Sequence, residues 1–69
     1  MDPQATWEEL LSAYSTQQFD EATQAAENLS QWLKRGGFPP LTNSLIAPGD
    51  ELHRVIAQAV IERVLDCQQ

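Results

Sequence analysis

The chain has a single cysteine, Cys67, in 69 residues, so no internal disulfide can form. A cystine-stapled secreted scaffold is thereby excluded, and a reducing cytoplasm is the expected setting. Basic residues are scarce as well. Four Lys and Arg stand against ten Asp and Glu, for a formal charge of −6, and residues 1–33 hold six acids and no base. Such a surface repels phosphate backbones and anionic lipid, so neither nucleic acid nor a membrane surface is an expected partner. Long apolar runs are missing, and with them any candidate membrane span. The first fifteen residues have no basic n-region and no apolar h-region, so a secretory leader is not expected.

Chemistry-bearing residues are thin too. His53 is the lone histidine. It follows Asp50 by three residues, but no further ligands converge on the pair, so it reads as a helix-cap histidine rather than a metal ligand. Cys67 lies fourteen residues beyond His53, about 21 Å along a continuous helix, too far for a nucleophile–base dyad. It sits near a helix C-terminus beside Asp66, which disfavours the thiolate, so it reads as inert. Glu8 and Glu9 are adjacent and diverge by about 100° on a helix, unlike a glycosidase carboxylate pair. The stretch RGGFPP lacks the spacing of a phosphate-binding loop and follows a helix rather than a strand. No catalytic constellation, metal site or cofactor is expected.

The hydrophobic pattern is helical throughout. Asp2-Pro3 offers an N-cap followed by proline at the first helical position, and Thr6 with Glu9 offers a capping box slightly later; the sequence leaves both starts open. Trp7, Leu10, Leu11 and Tyr14 fall on one stripe. A polar run, Ser15 to Gln18, ends this helix. The second begins near Phe19-Asp20 and carries Ala22, Ala26, Leu29 and Leu33 on one face, with Ala25 and Trp32 flanking. Its small residues invite close helix approach. Gly36 or Gly37 is expected to cap it in the left-handed conformation, leaving the other tolerant of alanine. Pro39-Pro40 then holds an extended stretch. Trp7 and Trp32 are expected to be buried together in a cluster closed by Phe38.

Residues 36–49 are too apolar for a solvated loop and predict a packed crossover. The last helix is expected to start near Pro48 and run to about Leu65–Cys67. Leu52, Val55, Ile56, Ala59 and Val60 are assigned to its core face. Ile61 and Leu65 are left as an exposed ridge beside Arg54 and Gln58, covered either by Leu41, Leu45 and Ile46 or by a second copy of the chain. These four residues, Ile61, Leu65, Arg54 and Gln58, are the candidate partner-binding site. Asn43-Ser44-Leu45 only distantly matches the Asp-Ser-Leu motif of acyl carrier proteins, because asparagine replaces the aspartate and Pro48-Gly49 interrupts the helix that should follow.

Trp7, Leu10 and Tyr14, followed by FDEATQAA with Ala22, give residues 7–34 a look that resembles one tetratricopeptide repeat. Leu11 stands where that family has glycine, and residues 36–69 hold no second copy. The resemblance implies a helical hairpin that needs a neighbour, a place the last helix would fill. It also implies peptide or protein binding. Residues 1–69 are thus expected to form one all-α domain of three helices, an antiparallel helical hairpin and a C-terminal helix joined by a packed Gly/Pro crossover. The expected function is a non-enzymatic protein–protein interaction module, binding a protein partner or itself as a homodimer through the C-terminal helix. The alternative is a small-ligand carrier or enzyme accessory subunit with a pocket between helices.

Overall fold

Of the two possible starts, Asp2 is the one used. Its carboxylate accepts from the backbone N–H of Gln4 at 3.0 Å and of Ala5 at 3.3 Å, and Pro3 occupies the first helical position. Helix α1 then runs Pro3–Ser15, α2 Phe19–Lys34 and α3 Leu52–Asp66. The structure, a computed structural model, describes residues 2–66, so the reading of Cys67 lies outside the described residues. The fold is all-α, with no strand among the described residues.

Helices α1 and α2 end alike. After α2, Gly36 N–H donates to Leu33 O at 3.1 Å and Gly37 N–H to Trp32 O at 3.0 Å, with Gly36 at φ +86°. This paired pattern is a Schellman cap, and it places the left-handed residue at Gly36. After α1, Gln17 donates to Tyr14 O at 3.1 Å and Gln18 to Ala13 O at 2.8 Å. Here the left-handed position, at φ 63°, is held by Gln17, where a side chain costs about 1–2 kcal/mol. Gly37 is not tolerant of alanine as the sequence suggested. A β-carbon there would fall 2.5 Å from Nε1 and 2.7 Å from Cδ2 of the Trp32 indole. One glycine turns the chain, and the other makes room for a ring.

Helix α2 is the central element. Ala22, Ala25, Ala26, Leu29 and Leu33 are all buried along it. Its small residues let both neighbours approach closely. Helix α1 contributes Trp7, Leu10 and Ala13, and α3 contributes Ala57, Ile61 and Val64, to one core. Helices α1 and α3 each pack on α2 and hardly touch one another.

The stripe on α3 differs from the expected one. Leu52, Val55 and Ala59 are exposed, Ile56 and Val60 half-buried, and the core side is His53, Ala57, Ile61 and Val64. The expected exposed ridge is therefore absent. Ile61 is 1% exposed and in the core, and Leu65 is half-buried against it. Arg54 is engaged within the fold, donating to Leu33 O at 3.2 Å and Gly37 O at 3.0 Å and pairing with Glu51 at 3.3 Å. Gln58 is half-buried beside it on the same side of the helix. The reason is geometric. The small Ala57 on the core side of α3 allows a shorter approach to α2 than a face of larger side chains would.

The helix also starts later than expected. Gly49 turns at φ +88°, and the Asp50 carboxylate accepts from Leu52 N–H at 2.9 Å, so Pro48 lies in the preceding turn. Of the aromatic cluster, Trp7 is buried and Trp32 half-buried, while Phe38 is 65% exposed. Phe38 stacks edge-on against Trp32, with centroids 5.7 Å apart, rather than closing the core.

Candidate functional site

The crossover fixes how α1 and α3 lie. Near the start of α1, Gln4 holds the Leu41 peptide with both ends of its amide. Its Oε1 accepts from Leu41 N–H at 2.8 Å and its Nε2 donates to Leu41 O at 3.3 Å. Near the start of α3, His53 takes hold of the next residue. Its Nδ1 accepts from Thr42 N–H at 3.0 Å, with Thr42 Oγ1 at 2.9 Å from the same nitrogen. That assigns the ring proton to Nε2, which donates to Ala47 O at 3.0 Å. His53 is thus a buried clasp for the crossover rather than a helix-cap residue, and both its nitrogens are occupied. The starts of α1 and α3 consequently sit at one end of the molecule, beside the end of α2, and the two helices run in the same direction.

Between them lies an apolar groove with a volume of about 330 Å³. Leu10 and Val64 form its floor. Leu11 and Tyr14 make the α1 wall, and Ala59, Val60 and Arg63 the α3 wall. Leu11 remains 42% exposed and Tyr14 37%. The Tyr14 ring is steadied by an edge-on contact with Phe19, centroids 5.9 Å apart. Arg63 offers its aliphatic stem to the wall, as long cationic side chains do. Leu52 and Val55 continue the apolar surface along the outer side of α3, with Val55 61% exposed.

Two other hollows frame the choice. One of about 300 Å³ lies at the crossover end, lined in part by Pro3, Phe38, Pro40 and Pro48, and its one polar side chain, Gln4, is already bonded to Leu41. The other, about 560 Å³, lies over the α1–α2 turn and is lined only by the consecutive residues Gln17 to Glu21, so no groups converge on it from separate elements. Among the described residues, no group of three or more His, Cys, Asp or Glu could hold a metal ion. Asn43 accepts from Leu45 N–H at 2.8 Å in a turn, so Ser44 does not open a helix.

The candidate partner-binding set from the sequence is not brought together as a surface: Ile61 is internal and Arg54 is bonded. The residues that do form the groove include Ala59 and Val60, which the sequence assigned to the core. Leu11 and Tyr14 were placed on the core stripe of α1, yet they lie at its edge. No protein-family model matches the chain, nor does a curated protein or a solved structure. No helix among the described residues is long and apolar enough to cross a membrane.

Proposed function

We propose that the chain is a non-enzymatic interaction module that binds a protein partner through the groove between α1 and α3. The observation that carries this reading is the open, almost wholly apolar trough between two helices that share a support and hardly touch one another. Solvent-exposed Leu11, Tyr14, Ala59 and Val55 around it are the apolar residues that such a surface hides on binding. The resemblance of residues 7–34 to a tetratricopeptide hairpin points the same way, as does a surface too acidic for nucleic acid. A reducing cytoplasmic setting fits the single cysteine.

The test compares pull-downs from the native host with wild type, Leu11→Glu, Ala59→Glu and a control, Leu45→Glu, at a residue 92% exposed away from the groove. Circular dichroism verifies that each variant folds. Proteins retained by wild type and the control but lost from both groove variants support the reading. An identical retained set from all four sinks it.

The second reading is a small-ligand carrier or accessory subunit using the same groove. Its volume of about 330 Å³ falls at the low end of the roughly 300–1,000 Å³ typical of small-molecule sites. Native mass spectrometry separates the two, since a carrier shows a co-purifying mass and an interaction module does not.

A further inference from the structure

The charges differ between the two ends of the bundle. At the crossover end Lys34 and Arg35, which close α2, and Arg54 near the start of α3 are balanced by Asp2, Asp50 and Glu51. At the other end α1 and α3 finish and α2 begins. There Asp20 and Glu21 stand in the first turn of α2, and Glu62 and Asp66 in the last turns of α3, against Arg63 alone. The C-termini of α1 and α3 add negative potential at that same end, offset in part by the N-terminus of α2. Glu8 lies three residues before Leu11, on the outer edge of the α1 wall. Among the described residues the one ion pair is Arg54 with Glu51, so none of the acids at the other end, nor Glu8, is paired with a cation there.

The shape is that of a missing helix. Leu10 with Tyr14, Ala59 with Arg63, and Val60 with Val64 are each spaced by four residues, so both walls present ridges that a third helix can enter. Ala59 leaves the middle of one wall low enough for close approach. At the crossover end, the Leu41–Thr42 backbone bridges the starts of α1 and α3.

Resting on the reading of the groove as a protein-binding surface, we infer that its occupant is a short amphipathic helix of a partner, carrying Lys or Arg beside its apolar face. The large apolar side chains seat on Leu10, Leu11, Val60 and Val64. The flanking cations meet Glu62, Asp66 and Glu8. A second copy of this chain is the poorer occupant, because it brings ten acids and only four bases to an already acidic rim.

The experiment uses two synthetic helical peptides of about 14 residues, roughly four turns. Both carry leucines at i, i+3, i+4 and i+7; one has lysine at the flanking positions and its twin has glutamate. Each is titrated into the full chain by calorimetry, with methyl NMR on Leu11, Ala59 and Val60, at low and at high salt. The lysine peptide is expected to bind at least about tenfold tighter than its twin at low salt, summed over several exposed pairs. That advantage should shrink as salt screens the rim. Leu11→Glu and Ala59→Glu are expected to abolish binding even though each adds negative charge.

If the two peptides bind equally and both are lost in the groove variants, the groove reading stands and the charge inference falls. If the lysine peptide binds the groove variants as well as or better than wild type, the attraction is charge alone and both fall. If neither peptide binds wild type, the groove reading itself falls. If wild type dimerises unaided and Leu11→Glu makes it monomeric, the occupant is a second copy and the inference is overturned.

Discussion

Substituting alanine at Gly37 tests the packing at the end of α2 more sharply than any core truncation. Backbone preference alone makes Gly37 look replaceable, since it is Gly36 that takes the left-handed conformation. The obstacle at Gly37 is the Trp32 indole, which a new β-carbon would meet at 2.5–2.7 Å. That ring cannot swing aside freely. Its Nε1 donates to Phe38 O at 2.9 Å, and Phe38 stacks on it edge-on. Overpacking of this kind costs about 1–3 kcal/mol. Displacing the ring adds about 1 kcal/mol for the hydrogen bond and about 0.5–1.5 kcal/mol for the aromatic pair. The expected loss for Gly37→Ala is therefore about 2.5–5.5 kcal/mol, or a fall in Tm of roughly 15–40 °C for a domain of this size. Gly36→Ala meets open space and carries only the cost of its φ, less what alanine removes from the unfolded chain's freedom, for a net of about 1 kcal/mol. Urea unfolding followed by circular dichroism at 222 nm ranks the two, because tryptophan fluorescence would report the ring itself. Combining Gly37→Ala with Trp32→Leu should recover part of the loss, giving a coupling that the single variants cannot show. A Gly37→Ala protein as stable as wild type, or more stable than Gly36→Ala, refutes the account of the ring and its glycine.

The converse substitution, Gln17→Gly, relieves the strained cap of α1 and should raise stability by about 0.5–1 kcal/mol in the same urea titration. His53→Ala strips partners from Thr42 N–H and Ala47 O; at roughly 1–3 kcal/mol per orphaned group it should cost about 2–6 kcal/mol, and Thr42 amide exchange should accelerate with it. Thr23 Oγ1 is buried with no hydrogen-bond partner among the described residues, so Thr23→Val, which keeps the shape and removes the hydroxyl, should be neutral or stabilising by up to about 1 kcal/mol in a thermal melt. A clear loss of stability there means that the hydroxyl has a partner after all.

The helices were legible because their punctuation is chemical. Asp2-Pro3, the polar run to Gln18, and Gly36-Gly37 before Pro39 mark starts and stops that do not depend on tertiary context. The buried face of α2 was equally readable, since its alanines and leucines leave only one apolar stripe. Helix α3 defeated the same method. It is apolar on two sides, and its periodicity favours Leu52, Val55, Ile56, Ala59 and Val60 by bulk. The fold selects instead the side holding His53 and Ala57, one polar and one small. Pattern counting gives little weight to either. Yet His53 is the residue able to hold the crossover at Thr42 and Ala47 together, and Ala57 is small enough to let α3 lie close to α2. Because the face was turned over, the groove was hidden from the sequence: its α3 wall had been assigned inside. A usable signal was present in the long apolar crossover beside a lone histidine, for such a loop needs buried polar partners of its own. The role of Gly37 was similarly hidden, because no local rule reports a ring five residues earlier.

The clasp formed by Gln4 and His53 has a mechanical consequence. Both flanking helices are fastened, at their first turns, to adjacent residues of one extended stretch, α1 to Leu41 and α3 to Thr42. Helix α3 is about 22 Å long at 1.5 Å per residue, so a slight rocking at its fastened end becomes a larger sweep at its tip. Like the pivot of a pair of tweezers, the joint at the crossover helps to set the width of the gap at the tips. Loosening Thr42 or Gln4 should therefore alter how far the jaws part, through residues that never touch what is held between them.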